Sequence, residues 1–260
     1  MTALEHLGVR PTGERRWQAH TPEALHGAHG GAFGGLLAAM TVAVARETVP
    51  GRRPFALDCH FVRGLRGDAS ITAEVLRSGR SMSVVSVAMT EDGELTTRAT
   101  VLLADLAALD DWTVADVGEP PPDTADAKRW RHPPGRHVGI VDTLAPRSKR
   151  VDGDAIAATI RIPWPEPETD AAAEASCMAA DISTGPPVEA AFTDGWRPHP
   201  NPDLSLRFLP RPIEAEEITG VGRLDAVVAG VAMMSLAVWS GGQRTAVGIS
   251  TALVSPPAGR

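Results

Sequence analysis

His29 heads a short glycine-rich run, His29-Gly30-Gly31-Ala32-Phe33-Gly34-Gly35, just before a long apolar stretch. Five glycines and two histidines fall between His26 and Gly35. A neutral imidazole there could donate to a carbonyl oxygen. Glycines would let a ligand or a backbone reach the amides of a helix start, which favour a carbonyl oxygen or an anion. Asp58 and His60 fall two residues apart in an alternating run, so they share one strand face and could pair. Asp203 opens a second alternating run, Asp203-Leu204-Ser205-Leu206-Arg207-Phe208, on the side opposite Leu204, Leu206 and Phe208. A carboxylate there could act as general base on a water, or face solvent as a turn acid after Asn201-Pro202. His26, His29 and His60 lack the spacing of a zinc site, so no metal is expected. The paired glycines fit neither dinucleotide-binding nor P-loop spacing.

Regular elements must position these groups. Residues 33–47 read as a helix filled with Ala, Leu, Met and Val, whose first charges are Arg46 and Glu47. A helix apolar on every side is buried, and this one is too short to span a membrane. Pro50-Gly51-Arg52-Arg53-Pro54 ends it. Strands are predicted over 55–63, 70–78, 81–91 and 94–104, the last two joined by an Asp92-Gly93 hairpin signal. Residues 106–126, rich in Asp, Pro and Ala, read as a linker. Beyond it, strands are predicted over 137–144 and 155–163. An Ala-rich helix follows over 169–183, capped by Thr169 or Asp170 and stopped by Gly185-Pro186-Pro187. Further strands are predicted over 203–208, 218–225, 230–240 and 245–255. Arg147-Ser148-Lys149-Arg150 reads as a solvated turn, and Met82, Met89, Met178, Met233 and Met234 as core.

The two halves can be laid on one another. His60-Phe61-Val62-Arg63 matches Arg207-Phe208-Leu209-Pro210. Ser86-Val87-Ala88-Met89 with Asp92-Gly93 matches Ser235-Leu236-Ala237-Val238 with Gly241-Gly242. Such self-similarity implies a duplicated unit. The expected fold is α+β: two units, residues 1–112 and 113–260, each an antiparallel sheet around a central helix. Sheet edges and apolar faces left open by one chain favour a homo-oligomer.

The chain has 260 residues and a net charge of −7. No basic stripe marks a nucleic-acid surface. No charged and apolar leader opens the sequence, and its two cysteines, Cys59 and Cys177, lie far apart. These features suit a reducing cytoplasm without a membrane partner.

A glycine-rich helix start, then His60-Phe61-Val62-Arg63-Gly64, then the run from Leu76 to Gly93 (LRSGRSMSVVSVAMTEDG), resembles the acyl-CoA thioesterase II-like, double hotdog family. The second half resembles it in Pro202 to Phe208 (PDLSLRF) and in element order. The resemblance implies hydrolysis of acyl-CoA, or of an acyl group on a carrier's pantetheine, without metal or redox cofactor. It implies an oxyanion site at the helix start, with Gly30, Gly31, Phe33, Gly34 and Asp58 around the substrate. The family places water with an Asp, a Ser or Thr, and a Gln. The Asp falls on Asp203, five residues before Phe208. The Gln falls at Ser250 or Thr251, and the hydroxyl at Leu224 or Asp225, so this chain departs from the pattern at both. Asp203, His29, His60, Ser250 and Thr251 are the catalytic candidates. The departures keep two alternatives open. One is a double hotdog protein that binds an acyl or small apolar ligand without cleaving it. The other is a hotdog hydratase or lyase, although no Asp accompanies His26 and His29 at the helix start.

Overall fold

The computed structural model describes residues 2–109, 122–132, 135, 137–165, 170–192, 197–211, 213 and 216–256. Helix α1 (Ala3–His6) leads into β1 (Val9–Gly13) and β2 (Arg16–His20), and a short 3-10 turn (Glu23–Leu25) precedes α2 (Gly34–Thr48). Strands β3 (Arg53–Phe61), β4 (Asp68–Ser78), β5 (Met82–Glu91) and β6 (Glu94–Ala104) complete the first half. The second half comprises β7 (Lys128–Arg129), α3 (Gly139–Thr143), β8 (Arg147–Asp152), β9 (Ala155–Arg161), α4 (Ala172–Ile182) and α5 (Gly185–Ala191). Strands β10 (Asp203–Phe208), β11 (Glu217–Val228), β12 (Val231–Ser240) and β13 (Gln243–Leu253) end it.

The described strands form one sheet in the order β1-β2-β4-β5-β6-β3-β10-β13-β12-β11-β9-β8-β7. Apart from β7 the order is a palindrome: replacing each strand by its counterpart in the other half reverses the sheet onto itself. The pseudo-twofold axis therefore runs between β3 and β10, which pair antiparallel with His60 opposite Asp203 and Ala56 opposite Arg207. This is the double hotdog arrangement. The predicted matches of Phe61 with Phe208, and of the β5–β6 turn with the β12–β13 turn, are those of symmetry-related strands.

The sheet wraps the two central helices because its strands alternate. On β4, Ala69, Ile71 and Ala73 are buried while Ser70, Thr72 and Glu74 face solvent. Every residue of α2 from Gly35 to Ala45 is buried, as is α4 from Ala173 to Ile182. The start of α2 meets Met178 and Asp181 on α4. Its end meets Glu174, so the helices run antiparallel. Arg46 Nη1 lies 2.8 Å from Glu174 Oε1, whose side chain is fully buried. Cys59 and Cys177 are free and buried. Among the described residues no helix is long and apolar enough to cross a membrane.

Several expectations are corrected. The predicted strand at 137–144 is instead α3. Docking overrides its β-branched sequence: Ile140 N–H donates to His26 O, Thr143 Oγ1 donates to Ala24 O, and a Cβ on Gly139 would fall 2.0 Å from Glu23 O. Arg147–Arg150 belongs to β8 rather than a turn, with Arg147 held in a bidentate pair by Glu217. Gly185-Pro186-Pro187 opens α5 rather than only ending α4, since first-turn prolines lack only amides that a helix start does not use. Asp170 does not cap α4, whose N-cap is Ala171; Thr169 lies outside the described residues. Met233 is 51% exposed on the outer face, not core. The predicted boundary between residues 112 and 113 also falls outside the described residues.

Candidate active site

Sequence candidates converge where α2 begins beside the β3–β10 seam. The run before α2 folds into a tight loop. Gly30 N–H donates to Gly27 O and Gly27 N–H to Gly31 O, while Ala32 N–H is tied to Leu65 O across the chain. Gly30 has φ +78°, and a Cβ on Gly31 would fall 2.7 Å from Leu65 O. Glycine at 30 and 31 therefore serves this loop. Phe33 is buried, and its carbonyl accepts from Leu36 and Leu37 N–H.

The glycines at 34 and 35 admit the other unit. A Cβ on Gly35 would stand 2.8 Å from Met178 Cα and 3.0 Å from Asp181 Cβ. One on Gly34 would stand 3.0 Å from Asp181 Oδ1 and from the Phe61 ring. Through that gap Asp181 Oδ2 accepts from Gly35 N–H at 2.8 Å. The glycines were expected to let a ligand or a backbone reach the amides of this helix start. The structure narrows that to Gly34 N–H, the first-turn amide with no hydrogen bond among the described residues.

Asp203 sits at an irregularity in the pairing of β10 with β13, which resumes beyond it where Leu253 N–H donates to Pro200 O. Their regular ladder begins with Ser205 opposite Ile249. One step nearer the end, Thr251 N–H donates to the Asp203 side chain, Oδ1, at 2.7 Å. Thr251 Oγ1 donates to the same oxygen at 2.9 Å. Ser250 Oγ donates to the Asp203 main-chain carbonyl at 2.7 Å. Asp203, Ser250 and Thr251 are therefore brought together, with Thr251 supporting the acid where the family pattern has another side chain. Two donors on one oxygen leave Oδ2 to take a water. His60 faces Asp203 across the β3–β10 ladder and is exposed. Asp58 does not pair with His60; its carboxylate meets Arg207, 3.1 Å away, on the outer face. Asp225, near the family's hydroxyl position, accepts from Ser235 on the exposed surface, away from Asp203.

Sequence reasoning missed three residues. Asp181 is buried, and burial raises its carboxyl to about 6 against the lowering effect of bonds from Asn201 and Gly35. Asn201 Nδ2 donates to Asp181 Oδ1 at 2.5 Å. His199 donates from Nδ1 to Arg197 O at 2.6 Å, and its ring meets His29 edge-on with centroids 6.4 Å apart. Alternation could have found His199 and Asn201, since they share the parity of Asp203 in one extended segment, whereas nothing beside Asp181 marks it. Cys59, buried on β3, has its thiol pushed up first by burial and then by Asp181 and Asp203, so both acids lie near it.

Two clefts lie at the other end of α2, where α4 begins. One is lined by Arg46, Arg53, Asp170, Glu174, Phe208 and Thr245. Its neighbour, about 480 Å³, adds Leu4 and Arg52. Elsewhere, exposed His132, His137 and Asp142 cluster closely enough to hold a metal ion. His132 Nδ1, however, accepts from Val138 N–H, which puts the ring proton on Nε2, facing Asp142.

Residues 21–104 match the family described as acyl-CoA thioesterase N-terminal domain. A comparison with curated proteins returned no match. Similar solved structures include a conserved protein of unknown function with hot dog fold from Alicyclobacillus acidocaldarius (23% identity, 98% of each chain covered, TM-score 0.79). Acyl-CoA thioesterase II TesB2 from Mycobacterium marinum aligns over 100% of this chain and 99% of that one, at 15% identity and TM-score 0.75. The dehydratase domain of RzxB from Pseudomonas fluorescens aligns over 93% of this chain and 94% of that one, at 14% identity and TM-score 0.56. The chain is thus a double hotdog protein, similar over residues 21–104 to the family described as acyl-CoA thioesterase N-terminal domain.

Proposed function

We propose that the chain hydrolyses acyl thioesters of pantetheine carriers, acyl-CoA first among them, at the start of α2. Asp203 carries the reading, because Thr251 fixes one of its oxygens with two donors. The other oxygen holds a water and takes its proton as the water attacks the thioester carbonyl. The Gly34 amide faces the oxyanion, at the positive end of a buried helix. Collapse of the tetrahedral intermediate breaks the C–S bond, and the thiolate recovers the proton. The match of residues 21–104 to an acyl-CoA thioesterase domain supports the substrate class. Exposed Met233, Ile249 and Leu253 on the outer face of β12 and β13 suit a homo-oligomer.

Asp181 raises a competing reading. A carboxyl that exchanges its proton near neutral pH could add water to an enoyl thioester. Both its oxygens are already engaged, one by Gly35 and one by Asn201, which favours hydrolysis at Asp203. A panel of saturated and enoyl acyl-CoAs separates the two. Hydrolysis releases thiol from saturated substrates; hydration consumes the conjugated double bond and releases none. Hydration without thiol release would overturn the proposal.

A further inference from the structure

We propose that Asp181 is a positioning residue: reaching from the second unit, it closes the first turn of α2 and, through Asn201, fixes that helix start against the strand carrying Asp203. Helix starts are ordinarily capped by a Ser, Thr, Asp or Asn one residue before the first turn. Here that residue is Phe33, which offers no cap. The cap comes instead from Asp181, 146 residues beyond Gly35. Gly34 and Gly35 are the sequence's provision for it, since a Cβ at either would strike α4 or its carboxylate.

The second oxygen of Asp181 extends the link. Asn201 donates to it, and the next carbonyl, Pro202 O, accepts from Phe61 N–H on β3. Asp203 follows directly, held by Thr251. One carboxylate therefore ties α2 to the segment leading into β10, itself bonded to β3 through Pro202 O, at the seam where the proposed water and oxyanion sites must stay in register. Effective positioning needs such fixation, because small displacements of reacting groups are costly. Protonation would loosen it. Both neighbours of Asp181 are donors, and protonation makes one of its oxygens a donor and a weaker acceptor, so the bond to that oxygen is weakened. Among the described residues, the Cys59 and Cys177 thiols of β3 and α4, which burial holds protonated, feel its charge, and Asp203 lies near the same Cys59.

The kinetic part of this inference rests on the thioesterase reading; the structural part does not. Asp181→Asn turns an amide N–H₂ toward that of Asn201 or gives up the Gly35 bond. Adding Asn201→Asp restores one donor facing one acceptor. Native-state amide exchange at Gly35 and Thr251 is read alongside kcat and KM for acyl-CoA. The single variant should speed exchange at both amides about tenfold and lower kcat about tenfold at unchanged KM, given the worth of a charge-assisted hydrogen bond. The double variant should recover most of both losses. Faster exchange at Gly35 alone would leave a local cap and overturn the coupling, as would a double variant no better than the single. A wild type that releases no thiol counts against the thioesterase reading, while the exchange arm still decides the coupling. Should Asp181→Asn not fold, the wild type is followed from about pH 8 to about pH 5, with intrinsic exchange corrected. The two amides should then lose protection together as the carboxyl protonates; protection independent of pH would overturn the inference.

Discussion

Replacing Asp181 by Asn separates two opposed effects on one buried carboxyl. Burial favours the neutral acid, while bonds from Gly35 N–H and Asn201 Nδ2 favour the carboxylate. Burial wins, raising the group from its ordinary 3.8 to about 6. The folded protein therefore binds this proton more tightly than the unfolded chain. The resulting stability is fully present below about pH 4 and is lost as pH rises through about 6. At about 1.4 kcal/mol per pH unit, the loss is about 3 kcal/mol. Asn at 181 does not titrate. The clash of its amide with Asn201 is an offset that does not vary with pH, so the slope is the diagnostic quantity. Urea unfolding of both proteins from about pH 4 to about pH 8 gives the difference directly, with other titrating groups cancelling. The stability of wild type minus that of Asp181→Asn should fall by about 2.4 kcal/mol across this range. A flat difference would refute the claim that burial dominates. A difference that rises with pH would mean that the two hydrogen bonds outweigh burial, reversing the sign of the argument.

Gly35→Ala should destabilise the fold by about 1–3 kcal/mol in chemical denaturation, because the added methyl meets Met178 backbone 2.8 Å away. Arg46→Met removes the guanidinium from the fully buried Glu174 side chain and should cost about 3 kcal/mol in the same assay. Thr251→Val keeps the amide bond to Asp203 but deletes the hydroxyl bond. It should lower kcat about tenfold with little change in KM, read by thiol release.

Much of the fold was written locally. The alternation of β3 and β10 and the unbroken apolar face of α2 follow from burial on one side of a strand and on every side of a helix. The duplication was legible because symmetric strands need similar patterns. What escaped were elements set by distant contacts. The segment at 137–144 has strand-like residues yet coils into α3 against Glu23 to His26. Asp181 sits in an Ala-rich stretch with nothing nearby to mark it, and its partners are 146 and 20 residues away. Gly34 and Gly35 announced a close approach, but not what approaches. Asp203 stood out through family resemblance more than through its local pattern, and Thr251, one of two candidates from that resemblance, is the one whose side chain supports the Asp203 carboxylate.

The central claim is that Asp203 prepares the water that cleaves a thioester. Thiol release from the best acyl-CoA substrate, compared between wild type and Asp203→Asn at matched folding, tests it most directly. Loss of general-base assistance should lower kcat at least about 100-fold, with the unfolding midpoint close to wild type. Turnover by Asp203→Asn at the wild-type rate would contradict the account.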